Sequence, residues 1–180
     1  MENLYLKTIE LCDEESVVNY LKECVVSSGA IKGFRFEDGL DFVGLYNKLE
    51  EYKKIPCESY TQKDYPTFQY LLVRREDNKA VGAVEIRPFL TEHLDKEFEG
   101  NVGYGILPSE RGKGYANMAL TLAMKKYYEL TKNKSLILCC YKENIPSRKV
   151  IEKHGGKLIE EVSGVLSAQK YKIEIGDNYD

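Results

Sequence analysis

The chain has 180 residues, of which 43% are hydrophobic and 31% are charged, and its formal net charge is −3. This length and composition suit a single globular domain, residues 1–180, with a substantial core. The mildly acidic net charge argues against a general nucleic-acid binder. No run approaches the roughly 20 apolar residues of a membrane span. We therefore expect neither a nucleic acid nor a membrane as a partner.

Hydrophobic periodicity and turn residues predict the elements of the first half of the chain. They are a strand at Leu4–Ile9, a helix capped by Asp13, a helix at Leu40–Tyr52, a loop at Lys54–Thr67, and strands at Phe68–Arg75 and Ala80–Arg87. The last two strands are joined across Asp77-Asn78, which predicts a hairpin turn although the favoured Gly is missing.

The second half alternates between strands and helices. The predicted elements are a strand at Asn101–Leu107, a helix from about Lys113 to Leu130, a strand at Ser135–Tyr141, a short helix between Asn144 and Gly155, and closing strands at Lys157–Ser163 and Gln169–Ile175. The order β-α-α-β-β-β-α-β-α-β-β predicts a mixed α/β fold, with a central mixed sheet of about seven strands and flanking helices.

The most informative segment reads Ser-Glu-Arg-Gly-Lys-Gly-Tyr-Ala-Asn and lies between a predicted strand and the long helix. At a helix N-terminus, unpaired N–H groups and the helix dipole attract anions. The small residues let an anion approach the backbone, and two cationic side chains add to the attraction. The segment therefore predicts a phosphate-binding loop, formed by Arg111, Gly112, Lys113, Gly114, Tyr115 and Ala116. The helix that follows is predicted to bury Ala116, Leu120, Ala123, Tyr127 and Leu130.

Two common nucleotide motifs do not match this loop. A P-loop requires a first Gly where this chain has Leu107, and Gly114 replaces the hydroxyl residue that would hold magnesium. The dinucleotide pattern Gly-x-Gly-x-x-Gly starts at Gly112 but fails at Asn117. A nucleotide-binding module is therefore disfavoured.

The pattern Arg/Gln-x-x-Gly-x-Gly/Ala, filled by Arg111, Gly114 and Ala116, resembles the pyrophosphate loop of the GCN5-related N-acetyltransferase (GNAT) superfamily. About thirty residues later, Asn144-Ile-Pro-Ser147 and its short helix resemble the second signature of that superfamily. The stretch from about 81 to 161 is similar to the superfamily core. The chain also resembles an uncharacterised bacterial branch reading roughly Gly-His-Ile-Gly-Tyr-Ser-Ile-Arg-Pro-Ser-Glu-Arg, in which Asn101 replaces the His.

The resemblance implies acetyl-coenzyme A as co-substrate, an amine acceptor and no metal. The strand ending at Ile106 and Leu107 would splay from the strand Ser135–Tyr141 and pair with the pantetheine amides, as an added strand does. The amides of the phosphate-binding loop would hold the pyrophosphate. Asn144 would reach the pantetheine arm, and Ser147 would contact it or cap the helix. Simple helix capping is the alternative for both residues.

Acetyl transfer needs a neutral amine, and deprotonating a lysine-like ammonium at pH 7 costs roughly 4–5 kcal/mol. Glu85 is the first candidate for the base, because it interrupts the apolar run Val81–Ile86 in the neighbouring strand. The alternative is that Glu85 simply pairs with Arg87 or faces solvent. His93, Glu92 and Glu99 are weaker candidates for the base.

Many superfamily members carry a tyrosine seven residues after the Asn of the second signature, where it protonates the departing thiolate. Ile151 occupies that position here, and Tyr141 is one candidate substitute, with packing as its alternative role. Loss of the acid need not abolish turnover, because a thiol with a pKa near 8.5 is already a fair leaving group. Cys139 and Cys140 could suggest a covalent route, but their apolar surroundings favour buried packing.

The sequence therefore predicts an acetyl-coenzyme A-dependent N-acetyltransferase acting by direct attack on a primary amine of a small molecule or a protein. The alternative, which Ile151 supports, is a non-catalytic acyl-coenzyme A binding or sensing domain of the same fold. The acceptor pocket would draw on the N-terminal helices and the loop 54–67, with Tyr52, Tyr60 and Tyr65 as candidate lining residues.

The remaining expectations concern metals, location and assembly. His93 and His154 have no partner at ligand spacing, so no metal site is predicted, and His154 suits a helix C-terminus. Five cysteines without C-x-x-C spacing suit free thiols, and the first residues do not read as a signal peptide, so we expect a cytoplasmic protein. A homodimer is an assembly that the sequence leaves open.

Overall fold

The computed structural model describes residues 3–28, 33, 41–56, 65–92, 94, 98–162 and 167–176. The predictions for Tyr60 and His93, and for part of the loop 54–67, lie outside these residues.

The chain folds into seven strands and four main helices within the described residues. They are β1 (Leu4–Thr8), α1 (Glu14–Ser28), α2 (Phe42–Tyr52), β2 (Phe68–Arg74), β3 (Lys79–Ile86), β4 (Val102–Ile106), α3 (Tyr115–Thr131), β5 (Ser135–Tyr141), α4 (Ile145–Lys153), β6 (Lys157–Val162) and β7 (Ala168–Glu174). This order confirms the predicted α/β layout, with boundaries that shift by one or two residues in most elements.

The strands form two antiparallel sheets rather than one continuous sheet. The first has four strands in the order β1-β2-β3-β4, and the second has three in the order β5-β7-β6. The β2–β3 hairpin turns at Asn78, whose φ of 55° lies in the left-handed region that Asn tolerates. The Asp77 carboxylate accepts a bond from the Lys79 N–H at 3.3 Å, which explains how the turn forms without glycine.

Two apolar clusters cover opposite faces of the four-stranded sheet. Alternation along β3 places Val84 and Ile86 in the cluster that packs against α3 and α4, while Ala83 belongs to the cluster beneath α1 and α2. Tyr52 is 2% exposed in the second cluster. This burial does not support its predicted role in lining an acceptor pocket.

Helix α3 lies against the sheet through a stripe that differs from the predicted one at its end. Leu120, Ala123 and Tyr127 are buried as predicted, but Leu130 is 38% exposed. Leu130 points to the same side of the helix as Ala119 and Ala123, but it lies in the last turn, next to the end of α3 at Thr131. None of the described helices is long and apolar enough to cross a bilayer.

Candidate functional site

The two sheets meet where β4 and β5 begin, at Asn101 and Ile137. The Asn101 N–H donates to the Ile137 carbonyl at 2.8 Å, and the Ile137 N–H donates to Asn101 Oδ1 at 2.8 Å. Asn101 Nδ2 also donates to the Arg87 carbonyl at 3.1 Å. Past this junction β4 and β5 belong to separate sheets. The two strands are not paired with each other there, in line with the splaying that the resemblance implied, and we call the space between them the opening.

The backbone of β4 presents hydrogen-bonding groups to this opening. The Leu107 N–H donates to the Val81 carbonyl on β3 at 2.9 Å. Because antiparallel strands alternate between bonded and non-bonded pairs, the main-chain groups of Tyr104 and Ile106 point away from β3. Arg111 Nε, which donates to the Ile106 carbonyl at 3.2 Å, confirms that this carbonyl faces outward.

Two glycines keep one face of β4 free of side chains. Gly103 lies opposite Glu85 in the β3–β4 register, and a Cβ at Gly103 would lie 3.7 Å from Glu85 Oε2. On the same face, Gly33 packs so closely that a Cβ there would approach the Gly105 nitrogen to 2.4 Å. Gln69 Nε2 holds the Gly33 carbonyl at 2.5 Å. Glu85 thus lies next to the face of β4 that lacks side chains, and Gly33 packs against that face.

Glu85 forms a buried ion pair with Arg87. The Arg87 Nη2 lies 3.0 Å from Glu85 Oε2 and its Nε lies 3.2 Å from Oε1, while both residues are less than a tenth exposed. Arg87 also contacts Glu99 at 2.9 Å and donates to the Gly100 carbonyl at 2.8 Å. Burial alone would lower the pKa of Arg87. The negative charges of Glu85 and Glu99 have the larger combined effect, so the pKa of Arg87 is raised above its ordinary value. The predicted pairing of Glu85 with Arg87 is therefore present.

The phosphate-binding loop ends in an accessible helix N-terminus. Gly112 and Gly114 both have φ of 80°, a conformation that favours glycine, and a Cβ at either position would meet nothing within 4 Å. Gly114 is the N-cap residue of α3, with no side chain to bond the first N–H groups of the helix. These features fit an anion that approaches the backbone from outside.

A buried carboxylate fixes this loop to the sheet. Glu110 is 4% exposed and accepts bonds from Arg74 Nη1 at 2.9 Å, Lys79 Nζ at 2.8 Å and Lys113 Nζ at 2.7 Å. The hydrogen bonds from Lys113 and Lys79 lower the pKa of Glu110 to about 2. Lys113 was predicted to add charge for a phosphate, but its ammonium is directed toward Glu110 here.

The second signature forms the predicted short helix. Asn144 Oδ1 accepts from the Ser147 N–H at 3.2 Å, so Asn144 caps α4. The Ser147 hydroxyl lies 3.1 Å from the Tyr104 hydroxyl, and this contact joins α4 to β4. Burial raises the pKa of Tyr104 to about 12. The sequence reasoning missed Tyr104, although its place between two glycines on a predicted strand was a usable signal.

The other candidates near α4 occupy different environments. Tyr141 ends β5 and is 42% exposed, whereas Ile151 is fully buried. Cys140 is buried, and its burial raises the pKa of the thiol, which is the opposite of nucleophile activation. His154 lies at the end of α4, where its Nδ1 is 2.8 Å from the Val150 carbonyl and its Nε2 is 3.0 Å from the Thr121 hydroxyl.

The fold is shared with several solved acetyltransferase structures. Ribosomal-protein-S5-alanine acetyltransferase from Vibrio fischeri is 16% identical with a TM-score of 0.71, covering 100% of this chain and 97% of that one. Spermidine N-acetyltransferase from Vibrio cholerae, in complex with CoA and spermine, is 16% identical with a TM-score of 0.68, covering 96% of each chain. RimL, a ribosomal L7/L12 alpha-N-protein acetyltransferase in complex with coenzyme A, is 14% identical with a TM-score of 0.66, and the match covers 100% of this chain and 97% of RimL.

No curated protein matches the sequence significantly. A family model does match it, described as an acetyltransferase (GNAT) domain, over residues 42–157. This match spans more than half of the chain and includes β4, the phosphate-binding loop and α4. The protein therefore belongs to the GNAT acetyltransferase family.

Proposed function

We propose that this acetyltransferase transfers the acetyl group of acetyl-coenzyme A to a primary amine of a small molecule or a protein by direct attack. The observation that carries the proposal is the opening between β4 and β5. The main-chain groups of Tyr104 and Ile106 point away from β3 on this side, and the N-terminus of α3 has no capping side chain. An elongated ligand with amides at one end and a diphosphate at the other matches these two features.

The acetyl-coenzyme A site divides into two parts. The N–H groups from Gly112 to Ala116 and the Arg111 guanidinium would hold the pyrophosphate. The β4 edge would pair with the pantetheine amides, with Asn144 nearby at the start of α4. Leu107 contributes less directly to the hydrogen bonds with the pantetheine arm. Its N–H already donates to the Val81 carbonyl, and its carbonyl accepts from the Glu110 N–H.

Glu85 is the proposed base that receives a proton from the attacking amine. It lies next to the glycine face of β4, the side that we propose for the acceptor. Arg87 holds the carboxylate in place through two contacts. A main-chain N–H on the exposed β4 edge would stabilise the oxyanion, a contact worth about 3–4 kcal/mol in related acyl transfers.

We propose the acceptor only as a chemical class, a primary amine. Two of the structurally similar enzymes are named for a protein alanine and for spermidine, and both acceptors present an amine. The mildly acidic chain leans toward a cationic acceptor. We also propose that the protein acts in the cytoplasm, where its described cysteines would stay as free thiols. A homodimer remains a further prediction.

A non-catalytic acyl-coenzyme A binding domain is the second candidate function, and the burial of Ile151 at the usual tyrosine position favours it. Calorimetric titration with coenzyme A and with ATP tests the site itself. Release of coenzyme A from acetyl-coenzyme A is then followed over a panel of amines that includes spermidine and alanine-initiated peptides. Tight binding of coenzyme A without transfer to any amine would favour the second candidate, and preference for ATP would exclude both.

A further inference from the structure

Arg111 contacts a main-chain group that the proposed donor would need. Its Nε donates to the Ile106 carbonyl at 3.2 Å, and this carbonyl is one of the outward-facing groups of β4 that would pair with the pantetheine amides. We infer that Arg111 makes the site selective for thioester donors that carry a diphosphate. Its guanidinium covers this edge of β4 until a diphosphate at the start of α3 attracts it away. The inference rests on the acetyl-coenzyme A site proposed above.

The guanidinium and the pantetheine arm compete for the same space. A strand added to a sheet lies about 4.7–4.9 Å from its neighbour, and its N–H nitrogens lie about 2.7–3.2 Å from the carbonyl oxygens that they bond. Arg111 Nε, at 3.2 Å from the Ile106 oxygen, takes the position of such a nitrogen. The carbonyl has a second lone pair, but the planar guanidinium lies where an added main chain would run. A pantetheine amide therefore reaches Ile106 only when Arg111 moves.

The chain around Arg111 allows its side chain to move while the loop stays in place. On one side, Glu110 is 4% exposed and is held by three cationic side chains. On the other side, Gly112 has φ of 80°, and a Cβ there would meet nothing within 4 Å. Arg111 itself is exposed. Rotation about its side-chain bonds can therefore carry the guanidinium from β4 toward the start of α3.

The charges of the loop explain why a diphosphate would attract Arg111. Lys113, the other cation of the loop, already contacts Glu110 at 2.7 Å. Arg111 makes no ion pair with a carboxylate in the part of the chain that the structure describes, and its printed partner is a neutral carbonyl. Charge-assisted contacts of a guanidinium with phosphate are two-pronged and stronger than one bond to a carbonyl. A diphosphate beside the loop therefore favours the position away from Ile106.

Donors with the same thioester would be distinguished by their far end. Coenzyme A carries a diphosphate that compensates for the bond between Arg111 and Ile106. Pantetheine has the same amides and the same thiol but no phosphate, so it must displace Arg111 without a new partner for the guanidinium. We therefore expect acyl-pantetheine to be disfavoured by more than the loss of its own phosphate contacts.

The test uses pantetheine and inorganic pyrophosphate as the two parts of the donor, with binding followed by NMR titration. In the wild-type protein, saturating pyrophosphate should strengthen pantetheine binding about three- to ten-fold, because it holds Arg111 away from Ile106. In Arg111→Ala, pantetheine alone should bind about three- to ten-fold more tightly than to the wild type, and pyrophosphate should no longer strengthen it. Coenzyme A should bind this variant at least about ten-fold more weakly, since a phosphate contact is lost.

Lys113→Ala is the matched control, because it removes the other cation of the same loop. Its affinity for pantetheine alone should stay within about two-fold of the wild-type value, and saturating pyrophosphate should still strengthen pantetheine binding. An equal rise of pantetheine affinity in Lys113→Ala and Arg111→Ala would overturn the inference, since loosening of the loop would explain both.

The remaining outcomes separate the inference from the proposed function. A pantetheine affinity that is unchanged or lower in Arg111→Ala would overturn the inference, as would pyrophosphate enhancement that persists in this variant. Neither result touches acetyl transfer by the wild-type protein. Coenzyme A binding with no transfer to any amine would instead overturn the proposed function, and the pantetheine titrations would still decide the role of Arg111.

Discussion

Asn101 and Ile137 hold the two sheets together at the closed end of the opening, through one main-chain bond and one side-chain bond of 2.8 Å each. The same asparagine side chain also binds the carbonyl at the end of β3 through Nδ2. It therefore connects three strands from one buried position. This connection determines where β4 and β5 begin to separate.

Removing this side chain should destabilise the fold. Asn101→Ala leaves the Ile137 N–H and the Arg87 carbonyl without their side-chain partners in a buried region. Each unsatisfied group costs about 1–3 kcal/mol, so we expect the two together to lower the free energy of unfolding by about 2–6 kcal/mol. Urea denaturation measures it. Asn19→Ala, at an exposed position, should change stability by less than about 0.5 kcal/mol; equal losses in the two variants would contradict this prediction.

Charge at the start of α3 should abolish coenzyme A binding. Gly114→Asp introduces a carboxylate and a Cβ where the pyrophosphate is proposed to approach the backbone, at a position with φ of 80°. Calorimetry with coenzyme A should give no measurable affinity. Gly176→Asp, which also enters open space, should bind normally. Retained affinity in Gly114→Asp would mean that the diphosphate binds elsewhere.

Glu110 should contribute stability that depends on pH. Its folded pKa is lowered to about 2, whereas an unfolded glutamate titrates near 4.3. The contribution is therefore fully present above pH 4.3 and is lost as the pH falls toward 2. Glu110→Gln should lower the free energy of unfolding by about 2 kcal/mol at pH 7 and reduce the acid dependence. Denaturation from pH 7 to pH 2 measures both, with Glu76→Gln as the exposed control. An acid dependence identical to the wild type would refute the assignment.

The proposed base makes a kinetic prediction. Glu85→Gln should lower kcat by about 100-fold or more, because the amine proton loses its acceptor. The affinity for coenzyme A should be unchanged, since Glu85 lies on the acceptor face of β4. Activity of the variant should recover as the pH approaches the pKa of the acceptor, because the neutral amine becomes abundant. Full activity at neutral pH would show that another group or a water chain is the base.

The usual tyrosine cannot simply be restored at position 151. Ile151 is fully buried, and its Cγ2 would lie 2.5 Å from a Cβ placed on Gly156, so the site has no free volume. Ile151→Tyr should cost about 1–3 kcal/mol of stability and should not raise kcat. Ile159→Tyr, at a position 52% exposed on β6, is the matched control. A more active and equally stable Ile151→Tyr variant would contradict this reasoning.

The elements that the sequence predicted well depend on local signals. The turn at Gly112 and Gly114 before α3 and the start of α4 are marked by glycines, a capping Asn and a Pro within a few residues, and these act on their own neighbours. The partners of Glu110 were missed because Arg74 and Lys79 come from strands 36 and 31 residues earlier. The Tyr104–Ser147 contact, which spans 43 residues, was missed for the same reason.

Gly33 links the chain before α2 sterically to the backbone of β4. Its position against the Gly105 nitrogen leaves no volume for a methyl group on residue 33. These two positions, 72 residues apart, should therefore evolve as a coupled pair. A homologue with a larger residue at 33 would need its β4 backbone displaced, and with it the main-chain groups that we propose to contact the acetyl donor.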